Sequence, residues 1–374
     1  MAEGSWVYFA LFILLTVSFS LSNIFQRIIL SYSNKYELLD KIKERKIKKT
    51  PVPRLGGVGV FLSISLTLTV FLLLMRLIPD FRNARILSEL ISDLTSPVII
   101  IFSVLFIFLI GIIDDLYEIS FILKLSAELI IASLLYFSGI QIKFVSLPFG
   151  GEFVSVGIFS FLVTVLWIVG VTNSINLIDG VDGLAGGIIS ISSFFMIVIF
   201  LIRGDFLFAV LLMPLLGAVA GFLPFNRYPS KMLLGDSGSL LSGMLLSIFV
   251  LRTSTKAAFG IILLVPLALL AIPILDTILA FTRRILKGQS PFRADGDHIH
   301  HRLIKKGLSE RKTTSILCAT TFILSLLGLA SVLISKQLRI FLWGVFFIFI
   351  IAIVSYLNYI RFDWIKKIFN DKIR

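Results

Sequence analysis

Apolar runs of about twenty residues recur along nearly all of this 374-residue chain, and a run of that length crosses the hydrocarbon of a bilayer as a helix. That recurrence leaves few folds open. Inside lipid every backbone N–H and C=O must bond within the protein, so only helices or a closed barrel cross, and runs this long and continuous are helices. With 57% hydrophobic residues and a mean hydropathy of +1.00, composition points the same way. We read eleven spans: Trp6 to Phe25, Leu55 to Ile78, Pro97 to Ile113, Phe121 to Gly139, Ile158 to Thr172, Gly186 to Ile202, Phe206 to Pro224, Leu233 to Leu251, Ala258 to Phe281, Thr314 to Ile334 and Ile340 to Tyr359. The expected fold class is therefore all-α, a polytopic integral membrane protein. Residues 1–374 form a single integral domain in this reading, because no repeat is visible and no segment between spans can bury a core of its own.

Lys and Arg set the expected orientation. With the N-terminus outside, 26 of the 35 basic residues fall in odd-numbered loops, at the start of the fourth span and in the C-terminal tail. The positive-inside rule then makes the odd loops and the C-terminus cytoplasmic. The formal charge of +13 belongs mostly to that rim, where it meets membrane lipids with anionic headgroups, and no nucleic-acid partner is needed to explain it. The first span lacks a basic flank and a small-residue cleavage site, so it reads as a retained helix and not a signal peptide. Cys318, the single cysteine, lies in an apolar stretch and reads as a packing residue.

Four polar islands interrupt the apolar sequence, all on the odd-loop side, and polar groups this dense beside lipid indicate a functional site. In GIIDDLYEIS, Asp114 and Asp115 end the third span, and a continued helix would put Glu118 on the face of Asp114. Adjacent carboxylates resist joint ionisation unless a cation lies between them, which suits Mg²⁺ binding or general-base work. The alternative is a solvated helix end. NSINLIDGVDGLAGG spaces Asn173, Asn176, Asp179 and Asp182 by three, one polar ridge if helical, with glycines that let a ligand approach the backbone. A Gly-rich packing face does not account for four amide and carboxyl side chains in register. FNRYPSKMLLGDSGS supplies Asn226 and then Asp236 at a helix start whose free N–H groups suit an anion, although Asp236 also suits a plain N-cap.

The last island, RADGDHIHHRL, holds all three histidines, His298, His300 and His301, among Arg293, Asp295, Asp297 and Arg302. A zinc site would want cysteine nearby, and none is there, so imidazole and Arg donors to a phosphate or sugar fit better. HHRLIKKGLSERK reads as a short interfacial helix that ends near Gly307. Asp276 faces the same cytoplasmic side. Glu128 reads as a partner of Lys124, outside the site.

Taken together and in this order, these motifs resemble the polyprenyl-phosphate N-acetylhexosamine-1-phosphate transferases, in their bacterial undecaprenyl-phosphate N-acetylglucosaminyl branch. A further match lies in the first loop, at Asp40, Lys41, Arg45, Lys46, Pro53, Arg54, Gly56 and Gly57, so the likeness runs from Asp40 to Leu303. The resemblance implies transfer of a sugar 1-phosphate from a UDP-N-acetylhexosamine to undecaprenyl phosphate, with release of UMP and Mg²⁺ (or Mn²⁺) as cofactor. It implies a multi-pass protein of the bacterial cytoplasmic membrane with its active site on the cytoplasmic face, starting cell-wall or surface glycan synthesis. Oligomeric state, a homodimer included, stays open.

By the same resemblance Asp114, Asp115, Asp179 and Asp236 are catalytic, with Asp236, Asp115 and Asn176 on the metal. Substrate binding falls to Arg45, Lys48, Asn173, Asn176, Asp182, Asn226, His298, His300, His301 and Arg302, with Asn176 and Asp179 on the diphosphate and Asp182 and Asn226 on the nucleoside. Lys48 stands where many members have His, and a fixed cation can hold a phosphate without shuttling protons near neutrality. Both direct attack and an aspartyl-phosphate route are compatible with these residues. Two rivals remain: the related transferase that uses UDP-N-acetylmuramoyl-pentapeptide, whose histidines run three in a row, and a transporter or flippase. Acids gathered at one face, without matched inverted halves, argue against the latter.

Overall fold

The computed structural model describes residues 2–39, 51–77, 97–146, 153–255, 264–290 and 296–357. Among them the chain is almost wholly helical: α1 (Ala2–Lys35), α2 (Gly56–Leu77), α3 (Pro97–Tyr117), α4 (Phe121–Phe137), α5 (Ser160–Ile178), α6 (Leu184–Arg203), α7 (Phe206–Asn226), α8 (Gly235–Thr255), α9 (Leu264–Leu269), α10 (Ala271–Leu286), α11 (Ile299–Lys305), α12 (Glu310–Leu333) and α13 (Lys336–Tyr356). A two-stranded antiparallel hairpin, β1 (Phe144–Ser146) with β2 (Phe153–Ser155), joins α4 to α5. Eight of these helices are long and apolar enough to cross a membrane, which makes this an all-α, multi-pass membrane protein.

Three expected spans take a different form. The fourth is the 17-residue α4, and the eighth, α8, keeps an apolar stretch only over Gly235–Leu251. The ninth is broken between α9 and α10 at Leu270. Pro273 explains the break, since it has no N–H to offer the carbonyl four residues back and its ring crowds that carbonyl. The carbonyl in question, Leu269 O, accepts instead from Ser192 Oγ on α6 at 2.7 Å. In lipid such a group cannot stay unpaired, so α6 satisfies what α10 cannot. At the other end of the chain, α1 runs ten residues past the expected limit at Phe25, to Lys35.

Helix association in a bilayer depends on close contact and interhelical hydrogen bonds, not on water exclusion. The α1–α7 pair shows both. Ser18 and Ser22 donate to Pro214 O (2.7 Å) and Ala218 O (2.6 Å), and Gly217 and Gly221 lie against the α1 backbone. A Cβ on Gly221 would stand 2.4 Å from Phe19 O, so any side chain there pushes the two helices apart. Around this pair the largest buried cluster includes Ile175, Leu184, Ile188, Phe200 and Phe222; a second, with Ile107, Ile131, Leu135 and Leu240, lies between α3, α4, α5 and α8.

What positions the polar islands is the start of α8, pinched between α2 and α3. Gly57 meets Gly238 so closely that a Cβ would lie 2.1 Å from its N, and Gly111 meets Ser237. The segments leading into α2 and α8 pair along their backbones: Leu233 N donates to Pro53 O (2.9 Å), Gly56 N to Leu233 O (3.0 Å) and Gly57 N to Leu234 O (2.7 Å). This pairing brings the ends of two loops to the C-terminal ends of α3, α5 and α7.

Candidate active site at one end of the bundle

The first turn of a helix presents N–H groups without intrahelical partners. In α8 they are capped from another helix: Asp115, at the end of α3, accepts from Asp236 N at 2.7 Å through Oδ1, and from Ser237 N (3.0 Å) and Ser237 Oγ (2.6 Å) through Oδ2. Asp236 is therefore not the cap. Its carboxylate, in the first turn of α8, is turned to the side, where it abuts Asp114 and meets Lys124 Nζ and, at 3.4 Å, Arg54 Nη2. Gly235 makes the entry possible, with φ +76 and Arg54 O only 2.0 Å from where a Cβ would stand.

Around this point charge accumulates. Lys124 Nζ lies between Asp114 (2.8 Å) and Asp236, and Arg54 Nε is 3.9 Å from Asp115. Asp179 accepts from Gly235 N at 3.2 Å, and Asn176 Nδ2 donates to Ser239 Oγ at 2.9 Å. Asn173 donates to Glu128, which is within electrostatic reach of Lys124 and Asp236. Five carboxylates thus face two described cations, an imbalance that a hard divalent cation would offset. The donor set fits such an ion, all oxygen with no thiol. Among the described residues, however, no three His, Cys, Asp or Glu side chains stand ready-arranged around a metal, and the Lys124 ammonium holds the place between Asp114 and Asp236.

Two expected geometries are corrected. Asn173, Asn176, Asp179 and Asp182 do not form one helical ridge: α5 ends at Ile178, Asp179 caps it, and Gly183 at φ +76 reverses the chain into α6. Glu118 does not share the face of Asp114 either, because α3 stops at Tyr117 and Glu118 takes a left-handed φ of +52 on the exposed side. Asp182 and Asn226 turn out to be clamps. Asp182 accepts from Ser230 N and Ser230 Oγ, both at 2.8 Å; Asn226 accepts from Gly183 N (3.0 Å) and donates to Met232 O (2.9 Å). Together they fasten the α5–α6 turn to the loop that feeds α8.

The histidines sit over that turn. His298 precedes α11, and its Nδ1 is 2.8 Å from Asp276 Oδ2; Ile299 N donates to Asp276 Oδ1 at 2.7 Å. His298 and His300 are stacked with centroids 5.7 Å apart, and His301 is 4.2 Å from His300. His300 Nε2, buried and without a hydrogen-bond partner, faces Gly180 at 3.3 Å from where a Cβ would be. Asp297 is held below its ordinary range: burial would raise it, but Arg302 (2.7 Å), Lys305 and Arg283 outweigh that. Arg302 also donates to Leu357 O at 3.0 Å, tying α11 to the end of α13. As expected, α11 is a short helix closed before Gly307.

Burial pushes the His300 imidazole down to about 3, with His301 and His298 adding to the effect and Asp276 opposing it. A base whose folded value is depressed contributes stability that is complete above its unfolded value of about 6.5, and the contribution fades as pH falls toward the folded one. Thermal unfolding in detergent should therefore show stability declining between about pH 6.5 and the onset of acid denaturation, and His300→Gln should flatten that slope. An unchanged slope in the variant would remove His300 as its source.

Arg45 and Lys48 lie outside the described residues, as do Arg293 and Asp295. Among the described residues, the cations brought to the carboxylates are Lys124 and Arg54. Lys124 was assigned only to Glu128, yet its spacing offered a signal: it lies ten residues after Asp114, one helix start beyond the sharp turn at Glu118.

Helices crossing a membrane, with acids and cations collected at their common end, define a polytopic enzyme for charged substrates. Residues 97–254 match the model of glycosyl transferase family 4. The chain is 34% identical to a probable undecaprenyl-phosphate N-acetylglucosaminyl 1-phosphate transferase of Bacillus subtilis (strain 168), over 84% of this chain and 82% of that one. It is 33% identical to a decaprenyl-phosphate N-acetylglucosaminephosphotransferase of Mycobacterium tuberculosis (strain ATCC 25618 / H37Rv), over 74% and 71%. To an undecaprenyl-phosphate alpha-N-acetylglucosaminyl 1-phosphate transferase of Escherichia coli O157:H7 it is 26% identical over 94% and 93%. The chain belongs to glycosyl transferase family 4.

Proposed function

We propose that this enzyme transfers N-acetylglucosamine 1-phosphate from UDP-N-acetylglucosamine to undecaprenyl phosphate, releasing UMP and starting a cell-wall or surface glycan. The observation that carries the reading is the freed carboxylate of Asp236: with Asp115 capping α8, Asp236 is left to face Asp114, Lys124 and Arg54. The names of the relatives supply the substrates, and they favour the donor without peptide over UDP-N-acetylmuramoyl-pentapeptide.

In this reading an oxygen of the acceptor phosphate bonds to the β-phosphorus of the donor, and the bond from that phosphorus to the bridging oxygen breaks, its electron pair leaving with UMP. Both partners arrive anionic, so positioning and charge compensation do most of the catalysis. Lys124 and Arg54 face the phosphoryl oxygens. His298, His300 and His301 lie above the α5–α6 turn, where they meet the diphosphate and the sugar. Asp182 and Asn226 act by holding that turn, and Asn176 and Asp179 line it. Bound Mg²⁺ supplies further neutralisation of phosphoryl charge; Asp236 and Asp114 would hold it, with Asp115 and Asn176 beside them. The site lies on the cytoplasmic face of the bacterial inner membrane, with the N-terminus outside and eleven crossings in which α4, α8 and the broken α9–α10 pair count as spans.

The nucleotide sugar does not cross membranes, so one assay tests both chemistry and orientation. Sealed inside-out vesicles given labelled UDP-N-acetylglucosamine, undecaprenyl phosphate and Mg²⁺ should form lipid-linked sugar diphosphate, and intact spheroplasts should not. No lipid product would defeat the transferase reading; product from spheroplasts alone would reverse the topology.

A further inference from the structure

Beneath the histidines lies an acid with no place yet in the reaction. Asp276, on α10, is 1% exposed, too deep to meet a water-borne substrate directly, and both its oxygens are engaged by the segment that carries the His cluster. Oδ1 accepts from Ile299 N, the first amide of α11, and Oδ2 faces His298 Nδ1. The backbone contact settles Oδ1 as an acceptor, and a carboxylate has only acceptors to offer, so the ring must present Nδ1–H. That fixes the tautomer and the ring plane. His298 Nε2 then stands on the far edge of the imidazole, away from Asp276, while the parallel His300 ring, 5.7 Å off, reaches Gly180 of the α5–α6 turn with its own Nε2.

We propose that Asp276 is a positioning residue for the donor site: it holds His298 with Nδ1–H inward and the Nε2 lone pair outward, as an acceptor for a hydroxyl or amide N–H at the sugar end of a nucleoside diphosphate sugar. This rests on the transferase reading above. The same carboxylate that caps α11 also orients the ring at its start, so helix placement and imidazole orientation share one anchor. A carboxylate behind an imidazole fixes the ring and makes its outer nitrogen a stronger acceptor, as in other triads of this form. Asp297, the other acid beside this segment, is instead paired with Arg302, Lys305 and Arg283. Asp276 is the acid that bears on His298 directly.

Asp276→Asn separates the two contacts. Its amide oxygen still accepts from Ile299 N, so α11 keeps its cap, but its NH₂ now donates to Nδ1 and forces the opposite tautomer. The variant should keep its thermal transition in detergent and lose roughly 10–100-fold in kcat/KM for the UDP-sugar, the range seen when an orienting partner is removed, with KM for undecaprenyl phosphate unchanged. Combined with His298→Ala, it should cost nothing beyond the single His298→Ala loss, because both act through one ring. A near-normal rate in Asp276→Asn would reduce Asp276 to a cap, and multiplied losses in the double variant would show that it acts elsewhere. Either result requires an active wild-type enzyme; an inactive wild type in the same assay would instead defeat the transferase reading.

Discussion

Asp236→Asn is expected to lower turnover by at least about 10²–10³-fold while leaving the protein folded, the scale on which a single group aimed at phosphoryl charge acts. The substitution keeps shape and removes charge. Asparagine caps a helix about as well as aspartate, and here the capping role belongs in any case to Asp115, whose oxygens accept from Asp236 N, Ser237 N and Ser237 Oγ. The backbone N–H of residue 236 survives the change, so the cap does too. What is lost is the carboxylate that Lys124 and Arg54 address from two other elements. Without it Lys124 falls back on Asp114 alone, and the proposed metal site loses its first donor. Labelled lipid product measured beside the thermal transition decides the question: a variant with normal turnover would make Asp236 a bystander, and one that unfolds early would make it structural.

How legible this site was in the sequence depended on whether a residue acts through its own motif or through a distant one. Asp114, Asp115, Asp179 and Asp236 stood out because acids beside twenty-residue apolar runs are expensive to keep. Their division of labour did not, since the contact that decides it, Asp115 on the start of α8, spans 121 residues of sequence. A period of three suggested a ridge over Asn173 to Asp182, but Gly180 and Gly183 favoured the turn that formed. Asp182 and Asn226 read as ligand groups, and the clamps they also form were not legible, because their partners Ser230 and Met232 lie across the turn. In the fold, spans were easy where hydrophobicity alone decides, as in α6 and α7. The ninth was read whole although Pro273 lay in plain view, because a proline predicts a broken bond without predicting that Ser192 would mend it. The small pair Gly217 and Gly221 was equally visible, and its partner surface on α1 was not.

Removal of divalent metal should have an effect as large as that of Asp236→Asn: with EDTA, turnover should fall below about 1% of the Mg²⁺-replete rate, since a metal on a phosphoryl oxygen supplies several kcal/mol of charge stabilisation. Mg²⁺ should restore it, and Mn²⁺, which accepts the same oxygen donors, should substitute. The argument rests on charge. Asp114, Asp115, Asp179, Asp236 and Glu128 surround Arg54 and Lys124, and the substrates add phosphate charge to a site already rich in carboxylates. Two described cations do not balance that load. Lys124 lies where the Asp114 and Asp236 carboxylates converge, so metal entry should turn it away from one of them and toward the incoming phosphates. Binding to the folded state alone raises apparent stability, which gives a readout without turnover: Mg²⁺ should raise the thermal transition of the wild type in detergent and leave that of Asp236→Asn unmoved. Full turnover in EDTA would end the metal reading. A Mg²⁺ shift of equal size in the variant would leave a metal in place and move it away from Asp236.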